Sequence, residues 1–232
     1  GDEESYEVFK ELFDPDISAR HGGYAPDAKQ PTNMDLEQLS DTDIDPAGKY
    51  VLTTRVRTGR SVSGFKLPPV ISMDERRELE KLCVTALLKM EGDLAGEYFP
   101  LNGSKSNPAG DKPEGMSVEK EDELRSCGNL FQEPDSTLLL ASGMGRHWPD
   151  GRGVFENKGK NLFVWVGEED HLRIVSMQGS RSAPTPEGKQ IKEVTARFMR
   201  ACEEVEKVLK SEGSGFMHND HLGWVLTCPS NL

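Results

Sequence analysis

The chain has 232 residues, of which 35% are hydrophobic and 29% charged, with a formal net charge of −12. That length supports one large domain or two small ones, no apolar run approaches a membrane span, and the N-terminus lacks the basic-then-apolar shape of a secretion signal. The negative field repels a polyanion, which argues against a nucleic-acid partner, yet a local arginine cluster could still hold a small anionic ligand.

In chain order, EESYEVFKELF (3–13) places Tyr6, Phe9 and Phe13 on one stripe and predicts a short amphipathic helix ended by DPD at 14–16. Residues 18–49, rich in Pro, Gly, Asp and Ser, predict an extended connector with a domain boundary near residue 45. VLTTRVR (51–57) alternates as a strand, with Leu52, Thr54 and Val56 facing one way and Thr53, Arg55 and Arg57 the other. Ser72 followed by Glu75 is a capping box ahead of a helical stripe at Leu79, Leu82, Cys83, Ala86, Leu87 and Met90.

Residues 101–122 read as a polar loop and Thr137–Ala141 as a short strand. NLFVWV (161–166) and HLRIVSMQ (171–178) form a strand pair joined by Gly167-Glu168-Glu169-Asp170, and 190–211 a long helix. GWVLT (223–227) reads as a last strand with Cys228 at its tip. The pattern predicts an α+β fold, a mostly antiparallel sheet flanked by helices.

Four cysteines, Cys83, Cys127, Cys202 and Cys228, show no CxxC spacing, and two lie on apolar helix faces. Reduced thiols and a cytoplasmic location are expected. The glycines of SGMGRHWPDGRG do not match a Walker loop. His218, His221 and Cys228 lack the partners of a tetrahedral zinc set, so no protein-bound metal is expected.

Three groups carry possible chemistry. Arg55 and Arg57, two apart on a strand, leave the same face; paired forks suit a polyphosphate, and equally a solvated pair or partners among the many carboxylates. Glu168, Glu169 and Asp170 repel one another in a tight turn, which a cationic ligand would relieve; an exposed charged turn is the alternative. Trp165 and Val166 offer an apolar wall beside them. Cys228 is either a buried strand-end residue or a thiolate tuned by the Ser230 hydroxyl.

Together, YEVFKELFDP with RHGGY, VLTTRVRTGRS, LLLASGM…WPDGRG, FVWVGEEDHLRIVSMQ and HLGWVLTCPSNL resemble the phosphagen (guanidino) kinases, the creatine-using branch above all, in the family's own order. The resemblance implies a phosphagen kinase/glutamine synthetase-like catalytic domain, incomplete, over 46–232, after a helical-domain remnant and linker over 1–45. It implies transfer of the γ-phosphoryl of Mg-ATP to a guanidino substrate, creatine first and glycocyamine next. ATP/ADP and Mg²⁺ are the implied cofactors, and a homo-oligomer is possible within the family.

On this resemblance the segment Thr53, Thr54, Arg55, Val56 and Arg57 binds nucleotide phosphates with Arg173. Glu169 orients the guanidinium beside Glu168, while Cys228 and Ser230 supply the reactive thiolate and its tuning hydroxyl. Departures are Glu156 in GRGVFEN where the family has His, His218 where it has an indole, and a longer SRSAPTPEGKQ segment. Family members begin earlier and continue past CPSNL, so a fragment inactive by itself is expected. A non-catalytic nucleotide-binding protein on the same scaffold and a redox sensor at Cys228 are the rival readings.

Overall fold

A computed structural model describes residues 1–47, 49–179 and 191–228. The elements are α1 (Ser5–Val8), α2 (Lys10–Arg20), β1 (Thr54–Arg60), α3 (Met73–Leu88), β2 (Gly96–Pro100), α4 (Val118–Ser126) and α5 (Thr137–Ser142). There follow β3 (Gly153–Asn157), β4 (Leu162–Val166), β5 (Leu172–Gln178), α6 (Ile191–Ser211), β6 (His218–Asn219) and β7 (Gly223–Trp224). Five strands form one antiparallel sheet in the order β1-β5-β4-β3-β2, as the α+β expectation requires.

The sheet has two unlike faces. Leu172, Ile174, Val164, Val166, Phe155 and Tyr98 pack with Cys83 and Leu87 of α3 and Ala201, Cys202 and Val205 of α6. On the opposite face Val154, Phe163, Trp165 and Val175 meet Leu101, Met116, Leu124 and Phe131. The central strands β3 and β4 are buried throughout, which is why LFVWV shows no polar alternation.

Local chemistry explains the ends of α3. The Ser72 side chain accepts the Glu75 N–H at 3.2 Å, but the Glu75 carboxylate turns to the Lys66 N–H at 2.8 Å, so only half of the expected capping box forms.

Four expectations are corrected. DPD does not end the first helix; α2 runs through Pro15, with buried Ile17 beyond it. The loop at 101–122 gives way to α4, whose cap is Ser117 and whose one buried residue is Leu124. Thr137–Ala141 is helical: Ser136 caps the Leu139 N–H, Gly143 closes the other end at φ 88°, and Leu138 and Leu140 stay exposed with no strand beside them. Of GWVLT only Gly223–Trp224 pairs as a strand, because the N–H groups of Thr227 and Cys228 go to a side chain instead. The SRSAPTPEGKQ segment, 180–190, lies outside the described residues.

Candidate active site

The register of β1 against β5 sets the site. Arg55 lies opposite Met177, Arg57 opposite Val175 and Gly59 opposite Arg173. Directly paired residues share a face, so Arg55, Arg57 and Arg173 all leave the sheet on the Trp165 side. Successive same-face positions are about 7 Å apart, a span that a polyphosphate can bridge. Thr54 and Val56 alternate to the other face, where Val56 packs on the α3/α6 core, and Thr53 precedes the strand. Of the paired residues of that segment, Arg55 and Arg57 present side chains on the arginine face.

Arg55 and Arg57 are exposed. Among the described residues neither has a carboxylate partner. Desolvation against the sheet, then the charges of Arg57 and Arg173, hold the Arg55 guanidinium below its usual range. This is an excess of positive charge inside a chain of net charge −12.

Arg173 differs, being only 6% exposed. Its guanidinium donates to Glu168 Oε1 at 3.1 Å and Asp170 Oδ2 at 3.2 Å, and lies 3.8 Å from Glu169 Oε2. The acidic turn is therefore relieved from within by Arg173, and mutual repulsion of its acids does not by itself call for a cationic ligand. Burial pushes the Glu168 carboxyl above its usual range, while the Glu169 N–H and Arg173 oppose the rise. Trp165 does wall this side, its Nε1 donating to the Asn129 carbonyl at 2.7 Å, but Val166 faces the helical core.

The Cys228 thiol donates to Glu169 Oε2. The strand-end cysteine and the acidic turn, 59 residues apart in sequence, thus meet side by side. Cys228 also lines a cavity of about 560 Å³ between α1–α2 and residues 221–228, walled by Tyr6, Phe13, Ile17, Leu67 and Trp224. Ser230 lies outside the described residues.

Glu156 faces the same side as the arginines, since it pairs with Phe163, which in turn pairs with Val175. Its carboxylate is buried against the Lys120 ammonium of α4. His218 packs edge-on to Trp224 at 4.6 Å. Among the described residues no three His, Cys, Asp or Glu side chains form a group able to hold a metal.

The family described as ATP:guanido phosphotransferase, C-terminal catalytic domain, matches residues 78–232. The chain belongs to the ATP:guanido phosphotransferases. Among curated members of this phosphotransferase family, human creatine kinase M-type is 49% identical over 233 residues, covering 100% of this chain and 55% of its own length. The Tetronarce californica creatine kinase M-type is 48% identical with the same coverage. The chain thus spans about half the length of the curated relatives it matches.

Among solved structures, lombricine kinase superposes with a TM-score of 0.86 at 40% identity, over 100% of this chain and 58% of that one. Substrate-free taurocyamine kinase from Schistosoma mansoni gives 0.80 at 38%, over 100% and 29%. The five-stranded antiparallel sheet is the phosphotransferase catalytic fold.

Three further residues shape the candidate site. Asp170 was seen only as a third acid of the turn. Gly59 lies inside VLTTRVRTGRS, but nothing local shows that its bare Cα matters. His171 is fully buried, its Nδ1 accepting the Val62 N–H at 3.0 Å and its Nε2–H donating to the Lys66 carbonyl at 2.9 Å. That pattern fixes one neutral tautomer, and burial depresses its pKa to about 4. Its role shows only in these long-range contacts of the ring with Val62 and Lys66.

Proposed function

We propose that the protein catalyses reversible transfer of the γ-phosphoryl group of Mg-ATP to a guanidino nitrogen, with creatine as the acceptor. The observation that carries this reading is the placement of Arg55 and Arg57, without carboxylate partners, on one face with Arg173, next to the Glu168–Glu169 turn and the Cys228 thiol. Phosphoryl transfer asks a protein for in-line positioning and charge neutralisation more than for covalent chemistry.

In this reading Arg55 and Arg57 grip nucleotide phosphates through bidentate forks. Arg173 stands between the two substrates, its acid partners holding it toward the phosphates. Glu169 receives the guanidinium and orients the attacking nitrogen, with Glu168 beside it. Cys228, already in contact with Glu169, borders the acceptor, and Ser230 tunes its thiol. A nitrogen–phosphorus bond forms as the bond to the ADP oxygen breaks, and a guanidinium proton leaves.

Two exposed guanidinium forks, without carboxylate partners among the described residues, fit a nucleotide polyphosphate. When bound, Mg²⁺ would supply charge neutralisation across the phosphates. The creatine reading is supported by 49% and 48% identity to creatine kinases over the whole chain. A cytoplasmic location is part of this proposal. Separately, no helix among the described residues is long and apolar enough to cross a membrane.

The test uses the whole protein to which this chain is expected to belong, in one preparation with two readouts. Phosphorus NMR follows phosphorylated guanidine formed from Mg-ATP and creatine, glycocyamine, lombricine or taurocyamine. Alkylation of Cys228 reports whether each guanidine, with Mg-ADP, protects the thiol. Creatine is expected to protect best. Neither product nor protection with any guanidine would contradict the proposal.

A further inference from the structure

Asp170 is fully buried, two residues before β5. Burying a carboxylate is costly unless hydrogen bonds and a counter-charge offset it, and both are present. Oδ1 accepts the backbone N–H of Thr227 at 2.9 Å and that of Cys228 at 3.1 Å. Oδ2 accepts from Arg173 at 3.2 Å. One side chain therefore ties the residue whose thiol meets Glu169 to the arginine that pairs with Glu168.

The chain at Thr227 and Cys228 has left the β6–β7 ladder, so no strand partner fixes it there. Gly59 makes room for the arrangement. A Cβ at Gly59 would lie 2.9 Å from Asp170 Oδ2 and 2.9 Å from Leu226 Cδ1. A bare Cα on β1 is what lets the carboxylate and the 226–228 segment close together over the sheet.

We propose that Asp170 is a positioning residue: by capping the Thr227 and Cys228 N–H groups it sets the Cys228 thiol against the Glu169 carboxylate. Its consequence for catalysis rests on the phosphotransfer reading above; the positioning itself does not. Among the described residues, the charged groups linked to the thiol include Glu169, Asp170 and Arg173, with Glu168 paired to Arg173. Replacing Asp170 changes both charge and hydrogen bonding, so the test must separate the two.

Iodoacetamide alkylation of Cys228, read by peptide mass spectrometry across pH, is measured with and without Glu169→Gln. It is repeated in the wild-type, Asp170→Asn and Asp170→Ala backgrounds. A thiol donating to a carboxylate is held in its protonated, unreactive form, so Glu169→Gln should speed alkylation near neutral pH by about tenfold. The Asn carboxamide oxygen can still accept both N–H groups, and the gain should persist there. In Asp170→Ala the gain should fall below about twofold, since thiol and carboxylate no longer meet. An equal gain in all three backgrounds would overturn the proposal, and so would its loss in Asp170→Asn, which would assign the effect to charge.

Should Asp170→Ala fail to fold by circular dichroism, hydrogen exchange of the wild-type Thr227 and Cys228 amides decides the matter. Protection at both supports the cap, and exchange at the rate of an unstructured peptide overturns it. A thiol coupling that survives while no guanidine binds or is phosphorylated would leave Asp170 in this role and remove the kinase reading alone.

Discussion

Lowering the pH should unfold this protein partly through one histidine. His171 is 0% exposed and satisfied at both ring nitrogens only when neutral, with a pKa of about 4 in place of 6.5. A second proton would turn Nδ1 from an acceptor into a donor facing the Val62 N–H. The unfolded chain therefore takes up this proton first as the pH falls. Stability is complete above about pH 6.5 and is lost progressively toward about pH 4. The gap of roughly 2.5 units amounts to about 3 kcal/mol in all, of which about 2 kcal/mol is gone by about pH 5. Urea unfolding at about pH 7.5 and about pH 5, for wild type and His171→Gln, isolates this contribution from carboxylates common to both. The variant, neutral at every pH, should be less stable at the higher pH, and the deficit should shrink by about 2 kcal/mol at the lower one. A deficit that stays constant between the two would refute the buried neutral histidine.

Other substitutions probe the scaffold around the site. Gly59→Ala, whose Cβ would fall 2.9 Å from Asp170 Oδ2 and Leu226 Cδ1, should cost about 1–3 kcal/mol in urea unfolding, as overpacking does. Lys120→Met leaves the Glu156 carboxylate buried without its ammonium and should cost about 3 kcal/mol, while Lys120→Met with Glu156→Leu should recover most of it. Tyr98→Phe removes the hydroxyl that donates to Glu80 Oε1 at 2.6 Å, and should cost about 1–3 kcal/mol at neutral pH. Because burial already raises the Glu80 carboxyl and the Tyr98 hydrogen bond opposes that rise, the Tyr98→Phe cost should shrink as the pH is lowered.

Much of the site's frame is legible in local sequence because its signals are local. The alternation of Val56 between Arg55 and Arg57 marks a strand with two arginines on one face, and the structure places them so. The Ser72 cap and the stripe at Leu79, Cys83 and Leu87 mark α3 in the same way. The rest depends on partners far away in sequence. GVFEN reads as no strand because β3 is buried on both faces and the alternation that would reveal it is absent. Helix α4 hides in a polar stretch because only Leu124 needs covering.

The acidic turn is the instructive case. From sequence its three carboxylates look unrelieved, and only folding shows Arg173 reaching back across 5 residues to Glu168. The loss of the final strand has the same origin, since a carboxylate 57 residues upstream takes the Thr227 N–H that a neighbouring strand would otherwise bind.

The central claim is that the arginine face of β1 exists to hold a nucleotide's phosphates. Calorimetric titration of Mg-ADP into wild type and Arg57→Ala tests it most directly. Loss of one charge-assisted bidentate contact, worth roughly 1.5–3 kcal/mol, should weaken binding by about 10- to 100-fold and flatten its salt dependence. Mg-ADP that binds both proteins equally, or neither at any accessible concentration, would contradict the account.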